Sequence, residues 1–284
     1  MDLKTLQSFE AEVRKLVPTL QIRFKDESRV QRWLGAVLRP FNPSYMTTYT
    51  STFGSTVYFP SREYYANRPK NSVMLLSHEA VHILDSRKNP LWFILSYLFP
   101  QVFALVLLAV YCTLSWPKMY ALLALVGALL VATLAHKSMA IVFVGGILCL
   151  AAALVVSFLV SGWLPTLFLL LTFVAAAPWP APGRVRLEMR GYAMTVALTH
   201  WMAGTCPQIV LTGIGRQFYG SPYYYMSWSR RWVENRLQET VDWVTSGRAL
   251  EEPVYARIHD SLQTLGVIQE LGINPCPVNQ APKV

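Results

Sequence analysis

At 284 residues the chain has room for one or two domains, and 53% apolar with only 14% charged residues lies outside the range of an ordinary soluble protein. The net charge of +9 comes from dispersed arginines with no nucleic-acid motif, which excludes nucleic acid as the expected partner. Four cysteines without a Cys-x-x-Cys pair, two of them in apolar sequence, exclude a disulfide framework and a cysteine metal site.

In chain order, Leu3, Leu6, Phe9, Val13 and Leu16 recur at helical spacing and predict an amphipathic helix that Pro18 ends. Asp2, Glu10, Glu12, Arg14 and Lys15 interrupt any apolar run there, so no secretory signal peptide is expected. Leu20, Ile22 and Phe24 alternate with polar residues as in a short strand. Val30, Trp33, Leu34, Val37 and Leu38 predict a second amphipathic helix, stopped by Pro40. Residues 45–50 and 56–59, rich in threonine, tyrosine and valine, predict two strands around Gly54.

The next segment carries the chemistry. Ser77-His78-Glu79-Ala80-Val81-His82-Ile83-Leu84-Asp85 contains His-Glu-x-x-His, with Asn71 and Ser72 as expected caps and Pro90 closing the helix. Histidines four positions apart lie on one helical face and can each give a ring nitrogen to one Zn²⁺. Glu79 is placed to act as general base on an activated water. Asp85 shares the histidine face and is the expected acceptor for the second N–H of a ligating ring.

From Leu91 to Ala177 the only charged residues are Lys118 and Lys137, a length that predicts membrane spans. Polar breaks divide the block into four candidates, roughly 91–114, 119–135, 139–160 and 164–178. Trp92, Tyr97, Tyr111, Trp116, Tyr120, Trp163 and Trp179 lie towards the span ends, as in an aromatic belt, and His136 reads as a loop residue. After the Pro178–Gly183 exit, an apolar helix is expected to about Gly204, a loop over 205–226, an amphipathic helix ending near Gly247, and a last helix over 252–271.

A catalytic zinc site normally has three protein ligands and one open position. Glu188, His200, Glu234, Glu239, Asp242 and His259 are candidates for the third. Glu188 is preferred because its surroundings are apolar and an unpaired carboxylate there would be costly. The competing role for Glu188 is a salt bridge to Arg186 or Arg190. Tyr192, His200 and the tyrosines at 223–225 are candidates for stabilising an oxyanion.

The order helix, strand, helix, strands, metal helix resembles the N-terminal half of the zincin metallopeptidases. That resemblance implies a small sheet packed on the His-Glu-x-x-His helix, with Thr56–Phe59 as the edge that aligns an extended substrate. The order His78-Glu79-x-x-His82, apolar spans, Glu188 is similar to the membrane-integral gluzincins, which include the CAAX prenyl-protein proteases and their bacterial heat-shock relatives. The family's aspartate four residues after the glutamate is Tyr192 here, and this chain has four candidate spans after the metal helix and none before it. An intramembrane protease with an aspartate ligand inside a span is excluded, because the apolar block holds no acidic residue.

The expected fold is therefore an α+β zincin-like metallopeptidase domain, mostly α, with a transmembrane insertion of about four helices. Its parts are residues 1–90 with the metal helix, 91–178 in the membrane, and 179–284 with the third ligand. The expected protein is multi-pass. Arg87, Lys88, Lys137, Arg184, Arg186 and Arg190 fall on one side and Lys118 on the other, which puts the globular parts in the cytoplasm. The expected activity is zinc-dependent hydrolysis of peptide or membrane-protein substrates at the bilayer surface. The alternative is a scaffold or transporter with a structural zinc.

Overall fold

The computed structural model describes residues 1–39, 42–99, 102–115, 139–176, 180–220 and 225–268. Most of these are helical, with one small three-stranded sheet. Helix α1 (Leu3–Leu16) is capped by Asp2, whose side chain accepts from the Thr5 N–H, and buries Leu6, Phe9 and Val13 as their spacing requires. Strand β1 (Gln21–Phe24) follows, then α2 (Arg29–Leu38) and the hairpin β2 (Ser51–Phe53) and β3 (Thr56–Phe59). Gly54, at φ +61°, supplies the left-handed residue that the two-residue hairpin loop needs.

The sheet order is β1-β3-β2, with β1 parallel and β2 antiparallel to β3. Val57 pairs with Ile22 on one side and Thr52 on the other. Thr56–Phe59 is thus the central strand and not the expected edge, because both of its hydrogen-bonding sides are filled. The strand expected at 45–50 is instead a run of turns, and β2 begins only at Ser51.

The sheet and α1 support the long helix α4 (Pro69–Lys88), reached through α3 (Arg62–Asn67). Pro69 opens α4 at its first turn, earlier than Asn71, and Arg87 and Lys88 complement the helix dipole at its end. Val73, Leu76, Ala80, Val81 and Ile83 are all buried, so α4 is a central helix enclosed on several faces. Helix α5 (Pro90–Leu98) follows at once, capped by the Asn89 side chain.

The apolar block continues in α6 (Val102–Ser115), α7 (Met139–Ser161) and α8 (Trp163–Ala176). Tyr111, Ala153 and Leu169 form a small core between these three helices, while Leu105, Leu148, Phe158 and Leu159 are exposed. No single helix among the described residues is long and apolar enough to cross a membrane. Helices α5 and α6 pass that test only as a pair, bent by 84°. The candidate span at 119–135, with Lys118, His136 and Lys137, lies outside the described residues.

Helix α9 (Pro182–Ala203) returns to the main core and packs along α4 and α5. Helices α10 (Gln208–Tyr219), α11 (Arg230–Thr245) and α12 (Pro253–Thr264) cover it. The stretch expected as a loop over 205–226 thus contains a full helix, with Leu211, Ile214 and Phe218 facing inward at helical spacing.

One buried cation has a measurable consequence. Lys25 is fully buried, donates from Nζ to the Tyr45 carbonyl at 2.8 Å, and lies 3.5 Å above the Tyr45 ring. Burial lowers its pKa to about 7, against a smaller opposing pull from Glu79. In the unfolded chain the amine regains its ordinary value near 10.5, so the unfolded state binds more protons between the two. Stability should therefore rise as pH increases from about 7 towards 10, by an amount on the order of 4 kcal/mol for this group. Urea unfolding of wild type and Lys25→Met across that range checks this. The wild-type midpoint should climb more steeply, and parallel curves would rule the effect out.

Candidate metal centre

The middle of α4 presents His78 and His82 on the same face, both nearly inaccessible to solvent. Their Nε2 atoms are 3.0 Å apart. Glu188, from the second turn of α9, brings Oε2 to 3.5 Å from His78 Nε2 and 3.6 Å from His82 Nε2. The preferred third residue therefore joins the two histidines, which are more than a hundred positions earlier in the chain.

The two Glu188 distances suit a shared ion better than direct bonds, while the 3.0 Å between the histidine nitrogens is itself of hydrogen-bond length. An N–H···O hydrogen bond is about 2.7–3.2 Å long. A tetrahedral ion with bonds of about 2.0–2.1 Å separates its ligand atoms by about 3.3–3.4 Å. Glu188 Oε2 is buried and has no hydrogen-bond partner among the described residues. Leaving a carboxylate oxygen so is costly, and a cation between the three atoms removes the cost. His78, His82 and Glu188 are thus a buried group that could hold a metal ion. Burial opposes ionisation of Glu188, yet the two histidines hold its carboxyl well below the usual range. Burial likewise opposes a charge on His82, and the Glu188 carboxylate outweighs it, raising the imidazole.

Three contacts that the sequence did not reveal shape this group. Tyr97, on α5, donates its hydroxyl to Glu188 Oε1 at 2.9 Å. This occupies one carboxylate oxygen and leaves the other facing the histidines, so Tyr97 orients Glu188. Gly191, one turn after Glu188, lies directly against both rings. A Cβ there would come within 2.6 Å of His78 Cε1, 2.7 Å of His78 Nε2 and 2.9 Å of His82 Nε2. The i, i+3 spacing of Glu188 and Gly191 was the only sequence signal. Thr52, on β2, donates to Glu79 Oε2 at 2.7 Å and fixes the carboxylate that follows the first histidine. No local pattern marked Thr52.

Asp85 is not bound to a histidine ring. Arg190 takes both of its oxygens, with Nε 2.7 Å from Oδ2 and Nη2 3.2 Å from Oδ1, and also reaches Glu252 at 2.6 Å. A guanidinium fork satisfies two carboxylate oxygens at once and outcompetes a single imidazole N–H. Asp85 therefore clamps α4 to α9 beside the metal group, and His82 Nδ1 has no partner among the described residues. Arg190, one of two residues considered as a salt-bridge partner for Glu188, is engaged by Asp85 and Glu252.

Tyr192 packs edge-on against the His78 ring, with centroids 4.8 Å apart, and against Phe218 at 5.5 Å. It forms a wall behind the His78 ring. The remaining candidates lie elsewhere. Glu234 pairs with Arg230, Glu239 with Arg236, Asp242 accepts from Gln238, and His259 packs on Trp201. His200 is twelve residues beyond Glu188 on the same helix, about 18 Å along its axis. Of the tyrosines at 223–225, only Tyr225 is among the described residues, and it is exposed.

No protein-family model, no curated protein and no solved structure matches this chain.

Proposed function

We propose that the chain is a membrane-anchored zinc endopeptidase of the gluzincin kind. The observation that carries this reading is the meeting of Glu188 Oε2 with the two Nε2 atoms of His78 and His82, beside a buried glutamate held by Thr52. Two histidines and one glutamate suit zinc and leave a position open for reactants. A zinc ion held there supplies Lewis acidity, acidifying water and polarising a scissile carbonyl.

The protein's own groups do the rest. Thr52 engages Oε2 of Glu79, so Oε1 is the oxygen available to take a proton from water and pass it to the leaving amine. Tyr97 keeps Glu188 turned towards the histidines, and the Asp85–Arg190 pair keeps α4 and α9 in register. Among the described residues the outer side of β2 is an unpaired edge on the strand that contacts Glu79, and an extended peptide can add to it as a further strand.

The exposed apolar surfaces of α6, α7 and α8 support insertion in a bilayer. Because His78 and Glu188 meet on one ion, the chain between them crosses an even number of times. Among the described residues, only the bent pair of α5 and α6 is long and apolar enough to supply one of these crossings. The arginines flanking the apolar block support a site on the cytoplasmic face. The natural substrates of such a site are membrane proteins or membrane-bound peptides.

The test is cleavage of a peptide library by the purified, zinc-loaded protein in vesicles, with products identified by mass spectrometry. Cleavage that a chelator stops and zinc restores is the expected result. A zinc-loaded protein that cleaves nothing contradicts the peptidase reading.

A further inference from the structure

Helix α2 packs with its polarity reversed. Its buried residues are Gln31 and Gly35, with Leu34 and Leu38 partly covered beside them. Val30, Trp33 and Val37 are instead 71%, 67% and 43% exposed. At positions i, i+3 and i+7 these three form one apolar stripe along the helix, which a core would ordinarily cover. The reason lies on the inner face. The Tyr45 hydroxyl donates to Gln31 Oε1 at 2.7 Å, and Met46 lies so near Gly35 that a Cβ there would come within 2.5 Å of it. A polar residue and a glycine hold α2 to the protein, and its larger apolar side chains are left on the outside.

Arginine borders this stripe. Helical spacing puts Arg29 and Arg32 along one flank, and Arg39 follows the last turn; all three are exposed. Elsewhere on the surface, Arg14, Arg230 and Arg236 each pair with a glutamate of their own helix. Helix α2 has no acidic residue to do the same. A second copy of the chain meeting this face symmetrically would oppose arginine to arginine, which is unfavourable. A surface that is anionic outside and apolar just beneath complements both the arginines and the stripe.

We propose that α2 docks on a bilayer surface carrying anionic headgroups, with Val30, Trp33 and Val37 at the boundary of headgroups and acyl chains and Arg29 and Arg32 among the phosphates. Tryptophan is favoured at that boundary. With 10 residues α2 is about 15 Å long, so it lies in the interface and does not cross it. Docking there also bears on the metal centre. The Tyr45 hydroxyl stands 3.3 Å from Ser51 Oγ, and the next residue, Thr52, holds Glu79. Helix α2 therefore sets the height of β2 above the bilayer and confines extended substrates to segments near the membrane surface. The inference rests on the proposed membrane location.

Brominated lipids test it in the full chain, reconstituted into vesicles of phosphatidylcholine and phosphatidylglycerol. The difference in tryptophan fluorescence between wild type and Trp33→Phe isolates the signal of Trp33. That signal should fall by about half or more when the lipids carry bromine near the glycerol end of their acyl chains, and it should resist aqueous acrylamide. Combining Arg29→Gln with Arg32→Gln should weaken the bromine quenching about twofold or more, with zinc content at the wild-type level. A Trp33 signal that bromine leaves untouched and acrylamide quenches freely overturns the proposal. So does a signal shielded from both quenchers, which would assign the face to a protein partner, and so does undiminished quenching in the arginine variant. A chain that alkaline carbonate strips from the vesicles sinks the membrane reading itself, whereas a chain that stays in them with Trp33 in water sinks this inference only.

Discussion

Glu79→Gln is expected to keep the full metal content and to lose about a thousandfold in peptide hydrolysis. The amide has the size and shape of the carboxylate, and its carbonyl oxygen can still accept from Thr52, whose hydroxyl is 2.7 Å from Glu79 Oε2. Packing around this buried residue is therefore preserved. The amide cannot take up a proton, and general-base catalysis of this kind contributes about 10²–10⁴ in rate. Steady-state cleavage of the best library peptide, with metal content measured on the same sample, separates the two effects. A variant within tenfold of wild type would remove Glu79 from the mechanism.

Gly191→Ala is the second large effect, and its sign runs against the usual one. Alanine inside a helix is normally more stable than glycine by roughly 0.5–1 kcal/mol. At Gly191, however, the added methyl would meet both histidine rings at 2.6–2.9 Å. Neither ring can easily retreat. His78 is backed by Tyr192, and His82 has Phe93 on another side, with centroids 6.2 Å apart. The rings must rotate or the helices must part, and either displaces nitrogen atoms that now stand 3.0 Å apart. Metal affinity should fall on the order of a hundredfold. Competition with a chromogenic chelator measures this, and wild-type affinity in the variant would show that the two helices separate without disturbing the ligands.

What the sequence made legible follows from distance along the chain. His78, Glu79 and His82 lie on one helical turn, so spacing alone put them together. Glu188 was reachable because a lone carboxylate among Leu187, Met189 and Ala193 demands a partner. The edge strand was misassigned because β1 and β3 pair in parallel across an intervening helix, and nothing local in Thr56–Phe59 encodes a partner on each side. Asp85 drew Arg190 in place of a histidine because of a residue 105 positions away. Tyr97 carried no local mark, since a tyrosine at the start of an apolar block reads equally as a membrane anchor. Helix α10 was hidden by Gly213, Gly215 and the flanking Pro207 and Gly220, which look like loop chemistry although Leu211, Ile214 and Phe218 keep a helical period.

The most direct measurement is zinc in the purified wild-type protein, by elemental analysis beside His82→Ala and Glu188→Ala. About one zinc per chain in wild type, lost from both variants, is the predicted result. Wild-type protein that holds no zinc after reconstitution, or Glu188→Ala that holds it as tightly as wild type, would contradict the three-residue centre.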